Sequence, residues 1–412
     1  LLSGPNLLPH IVDVLSRFRL RPVAFTADIQ KAFLQVGLQE EDRDYCRFLR
    51  RRSEKEPVKT YRFARVCFGL ACSMFLLTAV ILLHLNAAST PAPQALREDL
   101  YVDDLITGGN NPLECWQLAA DATKLLKQAG LPLCEFFTTN RELHALLEKG
   151  GLPLAASRDG CPQKALGMLW HADDTLSVRP ITELPSILTK RVVSSVIATV
   201  YDPLGLVSPI TISSKIQLQK LWSDKAQWDQ PLCPEQALLV ALKNLQELHG
   251  LRFPRYVLQD VSCHKLDVFC DASQEAYATC IYADGQLLIA KTKVAPLKKI
   301  SLPRLELLAC LLGSRLLARV KPFFKESCQV AAWTDSTAAL GWIVSAKKLP
   351  PFVSSRVGLI HESIAPSAWH HVQGDLNPAD LATRPGVTVG RLLASPQGFH
   401  CPVPVSYTHL TP

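Results

Sequence analysis

Asp103 and Asp104 stand side by side in Tyr101-Val102-Asp103-Asp104, and a third carboxylate, Asp28, lies upstream in Phe25-Thr26-Ala27-Asp28-Ile29-Gln30-Lys31-Ala32-Phe33. Apolar residues flank both runs, so each reads as a buried strand that ends in exposed acid. Carboxylates delivered together from neighbouring strands repel one another unless a cation sits between them. Hard oxygen ligands with positions left open for phosphate and water suit Mg2+. Two such ions can clamp an in-line phosphoryl displacement, so the three acids read as a nucleotidyl-transfer site. An Asp-Asp pair by itself is most often a solvated hairpin turn. Asp173-Asp174, in Trp170-His171-Ala172-Asp173-Asp174-Thr175, is read as such a turn and given no chemistry.

The elements that must hold such acids are ordinary globular ones. At 412 residues the chain is long enough for two or three cores. With 48% hydrophobic and 20% charged residues it falls outside the disordered class. A formal charge of +7 permits a polyanionic partner without requiring one. The 13 cysteines, an odd number, show no CxxC…CxxC or Cys/His finger spacing, which points to a reduced, intracellular thiol set. The longest apolar run, 74–88, is too short to span a bilayer and is interrupted by His84 and Asn86, so it reads as a buried helix. No signal segment opens the chain and position 1 is Leu, so the reading is a fragment.

Along the chain, 111–130 has helical periodicity, and 164–180 reads as a hairpin. From 181 to about 251 the pattern turns helical, over 184–200, 210–221 and 234–249. Beyond 265 a βαβ-like rhythm begins, with strands at 266–270, 277–282, 287–292 and 330–334 and helices over 303–320 and 336–344. Asp284-Gly285 supplies a hairpin turn.

Residues 1–180 resemble the reverse transcriptase of LTR retrotransposons, in wording nearest to the Bel/Pao group. The resemblance rests on Leu7-Leu8-Pro9, Ala27-Asp28-Ile29-Gln30-Lys31-Ala32-Phe33, Asp42-Arg43-Asp44, Phe68-Gly69-Leu70, Tyr101-Val102-Asp103-Asp104 and Leu166-Gly167-Met168-Leu169-Trp170. It continues through Tyr201-Asp202-Pro203-Leu204-Gly205-Leu206 and Leu302-Pro303-Arg304-Leu305-Glu306-Leu307 to Asn377-Pro378-Ala379-Asp380. It implies an α/β (α+β) fold: a reverse-transcriptase palm over 1–180, a helical thumb or connection over 181–260, and a ribonuclease H-like mixed sheet flanked by helices over 261–395. A tail, 396–412, would follow, its 405–412 portion having no counterpart in the family and resembling a translated adapter.

The resemblance makes Asp28, Asp103 and Asp104 the holders of two Mg2+ ions. It makes Phe33, Phe68, Gly69, Tyr101 and Trp170 the substrate contacts. A ring at Phe33 would collide with a 2′-hydroxyl and so select deoxynucleotides; the plainer reading of Phe33 is a core aromatic. A second Mg2+ pair would be held by Asp271 at a strand end, Glu306 on a helix, Asp335 after a strand and Asp380 before a helix. Any one of these alone reads better as a surface charge or helix cap, and Asp335 has a rival role as the cap of the helix that follows. His370 and His371 precede Asp380 where related nucleases carry a mobile histidine, although a structural histidine is the simpler reading.

The implied activity is RNA-directed DNA polymerase with ribonuclease H, from a Pol polyprotein housed in a cytoplasmic virus-like particle. Its partners would be RNA template, DNA primer, RNA–DNA hybrid, deoxynucleoside triphosphates and other parts of the polyprotein, with no membrane. Departures exist. Glu135 stands near the usual lysine, Met74 where proline is usual, and the fingers segment that normally precedes Leu1 is missing. They keep alive a catalytically inactive relic, or a host-adopted protein that binds nucleic acid or another partner, and a nuclease-only fragment. No Asp-Thr-Gly or Asp-Ser-Gly supports a retroviral-type aspartic peptidase.

Overall fold

A computed structural model describes residues 2–88, 92–156, 161–259, 261, 263–324 and 327–394. The expected tail, 396–412, lies outside the described residues. The chain divides into two compact units, Leu1–Leu166 and Gly167–Pro412.

Unit 1 is built on a four-stranded antiparallel sheet. Its strands are β1 (Val23–Ile29), β2 (Leu100–Tyr101), β3 (Asp104–Gly109) and β4 (Leu133–Phe137), in the order β2-β3-β1-β4. β1 is buried along nearly its whole length, which is why it reads as a continuous apolar run. The helix Pro112–Gln128 packs on this sheet and buries Cys115, Ala119, Ala122 and Leu126. Its start is specified locally: Asn111 Oδ1 accepts from Glu114 N at 2.9 Å, and Pro112 fills the first helical position. The apolar run beyond Cys72 forms the helix Ser73–Ala87, but only one side of it enters the core. Leu77, Ile81 and Leu85 are buried, whereas Met74, Val80 and Leu83 are exposed. An exposed two-stranded ribbon, Arg47–Arg50 with Lys59–Arg62, projects from the same unit.

Unit 2 centres on a five-stranded mixed sheet. Its strands are β5 (Lys265–Ala272), β6 (Ala276–Ala283), β7 (Gln286–Val294), β8 (Gln329–Thr334) and β9 (Trp369–His371), in the order β7-β6-β5-β8-β9. β5–β7 are an antiparallel meander, and β8 and β9 join in parallel. The helix Leu302–Val320 crosses β5 and β6 at close range. A Cβ at Gly313 would stand 2.7 Å from Cys270 Sγ and 2.8 Å from Thr279 Oγ1, so only glycine allows that approach. Gly205 (φ +70°) plays the same part where the 202–205 turn presses on β7; its Cβ would meet the Ala290 carbonyl oxygen at 2.1 Å.

The first helix of the 181–251 stretch begins six residues later than periodicity predicts. The first spans Lys190–Thr199, with Thr189 Oγ1 accepting from Val192 N, because Pro185 and the Thr189 cap interrupt the periodic run before it. The others are Ser208–Ser223 and Gln236–Gln246. Met168–Trp170 and Thr175–Ser177 form a hairpin extended by Phe253–Pro254. Among the described residues no helix is long and apolar enough to cross a membrane.

Candidate active sites

In unit 1, β1 and β3 run antiparallel with Asp28 directly opposite Asp104. β2 and β3 are joined by a two-residue turn, Val102-Asp103, in which Val102 takes φ +59°. A positive φ is costly for a β-branched residue and persists only where its surroundings enforce it. Here the turn is pinned by Ile29 N donating to the Asp103 carbonyl at 2.9 Å. The strained hairpin thus presents Asp103 beside the end of β1. A bulge in the β1–β4 pairing, with Glu135 at φ +53°, brings a fourth carboxylate into the field of Asp28.

The electrostatics follow from this crowding. Burial, and then the charges of Asp103, Asp104 and Glu135, push Asp28 up to about 7. Burial and then Asp103 raise Asp104 to about 6. Burial raises Asp103 as well. Phe33 lies in the core at 7% exposure, edge-on to the exposed Phe68 with ring centroids 5.0 Å apart. Gly69 (φ +84°) has open space where a Cβ would be, and Tyr101 is half-buried.

In unit 2, the parallel register of β5 and β8 sets Cys270 opposite Thr334. Asp271 and Asp335, the next residues, therefore leave the same end of adjacent strands. Asn377 ties them to the following segment: its Nδ2 donates to the Cys270 carbonyl at 3.0 Å and to Asp335 Oδ1 at 3.4 Å. The Thr383 hydroxyl donates to Asp271, and the Ser336 hydroxyl to Glu306. Ser336, not Asp335, caps the helix Thr337–Val344, accepting from Ala339 N at 3.0 Å. The rival role considered for Asp335 thus falls to its neighbour.

Asp380 lies in the short helix Pro378–Ala382 and accepts from Arg384 Nε at 2.6 Å, with the Arg384 charge also felt by Asp271. Burial pushes Asp271 up to about 7; Thr383 opposes this, while Asp335 and Asp380 add to it. Burial is also the main cause of the raised Glu306 and Asp335. Asp271, Asp335 and Asp380 lie within one another's fields, and Asp335 also reaches Glu306, so acids from four separate elements are linked. His371 bonds the Asp335 carbonyl at 3.2 Å, and the His370 ring lies 4.9 Å from that of Trp333.

Trp170 takes no part in either acid cluster. It is fully buried, its indole N–H donating to Asp174 Oδ1 at 2.8 Å and its ring lying 5.8 Å from the Arg255 guanidinium. A residue so placed anchors its own unit.

Both donor sets are oxygen-only, and burial raises Asp28, Asp103 and Asp104 in one and Asp271, Glu306 and Asp335 in the other, the condition that a hard divalent cation relieves. Among the described residues no group of three or more His, Cys, Asp or Glu is drawn together closely enough to enclose a metal ion; the acids act on one another through space. A consequence can be measured without turnover. Asp28 is near 3.8 in an unfolded chain and about 7 in the folded one. Below about pH 4 both states hold the proton. Between pH 4 and 7 only the folded state does, so stability falls as pH rises, and above pH 7 the whole cost is present. In EDTA at pH 8, Asp28→Asn should therefore melt above wild type. After discounting for solvent screening the gain is about 1 kcal/mol, or ~2–4 °C. The difference should vanish near pH 4, and added Mg2+ should stabilise wild type more than the variant. A variant no more stable than wild type at pH 8 would show that the charges are already compensated.

Residues 189–336, which run from the Thr189 cap through β8 to Ser336, match the family model described as a Pao retrotransposon-like RNaseH-like domain. This stretch is Pao retrotransposon-like. No curated protein gives a significant sequence match. Among solved structures, a foamy viral protease-reverse transcriptase in complex with RNA/DNA hybrid aligns with TM-score 0.57 at 12% identity, over 93% of this chain and 48% of that one. The foamy viral protease-reverse transcriptase dRH in complex with ds DNA gives 0.56 at 14%, over 90% and 60%. A third foamy viral complex, with dsDNA, gives 0.54 at 14%, over 90% and 71%. At such identity the likeness is one of fold: the chain shares the mixed α/β architecture of these foamy viral structures. It spans about half the length of the first of these proteins and three fifths of the second.

Sequence reading passed over the small polar residues that hold the carboxylates of unit 2. Asn377, Thr383 and Ser336 carry no signal of their own; Asn377 and Thr383 lie more than 100 residues from the groups they bind in β5. Arg384 could have been found, four residues after Asp380 and free to pair with it on a helical turn. The Arg50-Arg51-Arg52 run in the ribbon was likewise visible as a charge block.

Proposed function

We propose that this chain is an RNA-directed DNA polymerase with ribonuclease H activity, cut from a Pao-type retrotransposon Pol polyprotein. The observation that carries the polymerase half is Asp28 facing Asp104 across an antiparallel pair, with Asp103 presented by a strained turn locked to the same strand end. Asp28 and Asp103 would hold Mg2+, with Asp104 beside them. Bound there, the ions would neutralise a triphosphate and sharpen a primer hydroxyl as nucleophile. The carboxylates themselves fix where the positive charge sits, because they project from adjacent strand ends whose register cannot slip without turning β1 inside out.

In unit 2 Asp271, Glu306, Asp335 and Asp380 would hold a second pair of ions for hydrolysis of the RNA strand in an RNA–DNA hybrid. Thr383 and Ser336 orient two of the acids, and Asn377 spans Asp335 and the strand that bears Asp271. Substrates on this reading are RNA template, DNA primer and deoxynucleoside triphosphates, and the acting protein would work in the cytoplasm, within a particle. The competing reading is a protein that binds nucleic acid without turnover, and Glu135 favours it. Its carboxylate adds negative charge beside Asp28, where the triphosphate would have to approach.

Primer extension on an RNA template with deoxynucleoside triphosphates and Mg2+ decides between them. The polymerase reading expects extension that Asp103→Asn reduces by about 10³-fold or more, since metal clamping supplies several kcal/mol of charge stabilisation. Folded wild-type protein that binds the primer–template but adds no nucleotide would leave the binding reading standing.

A further inference from the structure

The exposed ribbon in unit 1 has a charge pattern that its own fold does not require. Within 47–62 there are seven basic residues against two acidic ones, so this stretch supplies five of the chain's seven units of formal positive charge. The pairing sets Arg47 opposite Arg62, Phe48 opposite Tyr61, Leu49 opposite Thr60 and Arg50 opposite Lys59. Like charges directly opposite one another destabilise a strand pair, and the ribbon contains two such pairs.

The two are treated differently. Arg47 and Arg62 are compensated: Arg47 pairs with Asp44 at 3.1 Å, and Arg62 with Asp44 at 3.2 Å and Glu40 at 3.3 Å. Arg50 and Lys59 form no ion pair among the described residues, and neither do Arg51, Arg52 and Lys55 at the tip. Alternation along a strand puts Arg50 and Lys59 on the face that also carries Phe48 and Tyr61. Those rings stack with centroids 5.6 Å apart and are 38% and 37% exposed; Phe63 backs Phe48 at 4.8 Å. One face of the ribbon therefore offers an open aromatic pad next to uncompensated cations, while the other face has its cations neutralised.

We infer that this face binds an unpaired stretch of nucleic acid, its phosphates on Arg50, Lys59, Arg51 and Arg52 and a base against Phe48 and Tyr61. Aromatic faces are of use to a strand whose bases are unstacked, whereas a duplex offers the ribbon phosphates alone. The inference rests on the reading of the chain as a nucleic-acid enzyme, but needs neither metal nor turnover.

Binding of a labelled oligo(dT) to the full chain, followed by anisotropy in EDTA over a series of salt concentrations, tests it. The pair Arg50→Gln with Lys59→Gln should flatten the plot of log K against log salt by about 1.4, two contacts at about 0.7 each for a single strand. Tyr61→Ala should weaken oligo(dT) at least about tenfold while changing a blunt duplex far less. Because these side chains are exposed, both variants should keep the wild-type far-ultraviolet spectrum. Wild-type binding with an unchanged slope in the double variant would overturn the inference and leave the polymerase reading intact. Equal losses for strand and duplex would overturn it in favour of general phosphate contact, and competition by polyglutamate as strong as by oligo(dT) in favour of an acidic peptide. Wild-type protein that binds neither strand nor duplex would remove the underlying reading with it.

Discussion

Asp271→Asn should abolish cleavage of the RNA strand in an RNA–DNA hybrid, lowering the Mg2+-dependent rate by about 10³-fold or more while the protein stays folded. The size comes from the several kcal/mol that a metal clamp supplies to the transition state, at about 1.4 kcal/mol per factor of ten. The fold should survive because Asp271 is a cost to it. It is 6% exposed and shares its field with Asp335 and Asp380, which together with burial push it up to about 7. An amide in its place keeps an acceptor for the Thr383 hydroxyl and removes the repulsion. Loss of cleavage should therefore come with an unchanged or raised melting temperature in EDTA. Cleavage at near wild-type rate by the variant would take Asp271 out of the reaction. Loss of cleavage with a collapsed melting temperature would say only that the strand end had been damaged.

The acids that matter to this argument were legible because each interrupts an apolar pattern. Asp28, Asp103 and Asp271 end runs that could only be buried strands, and Glu306 stands in an apolar helix where an unpartnered charge would be costly. Strand β5 and the β6–β7 hairpin at Asp284-Gly285 were equally plain, because a short apolar run and a turn dipeptide are local properties. What escaped was whatever depends on two distant segments meeting. The half-exposed side of the helix Ser73–Ala87 cannot be read from a run that is apolar all round. The burial of Trp170 depends on Arg255, eighty-five positions on. The two faces of the ribbon become distinct only once register decides which cations meet Asp44 and Glu40.

Asp174→Ala should destabilise unit 2 by roughly 3–5 kcal/mol, the cost of stranding a buried charge, although the Asp173-Asp174 turn was read as solvated. Asp174 sits at φ +59°, which aspartate tolerates better than most residues, and from there accepts three bonds. Arg255 donates to it twice, Nε at 2.7 Å and Nη2 at 2.8 Å, and the Trp170 indole once at 2.8 Å. The Arg255 side chain is 1% exposed, so losing Asp174 takes a carboxylate away from a guanidinium that water cannot reach. Asp174→Asn keeps an acceptor for Trp170 and should cost about half as much. The comparison that isolates burial is Arg191 with Asp229, a pair with the same two-bond geometry at 2.7 and 3.0 Å but more than 60% exposed on both sides. Asp229→Ala should leave stability close to that of wild type. Urea unfolding of the three variants measures this directly, and equal midpoints for Asp174→Ala and Asp229→Ala would sink the argument. The contrast with Asp271 is physical: Asp174 has its cation built into the chain and cannot be removed without harm, whereas Asp271 is buried in the field of other acids and gains from losing its charge.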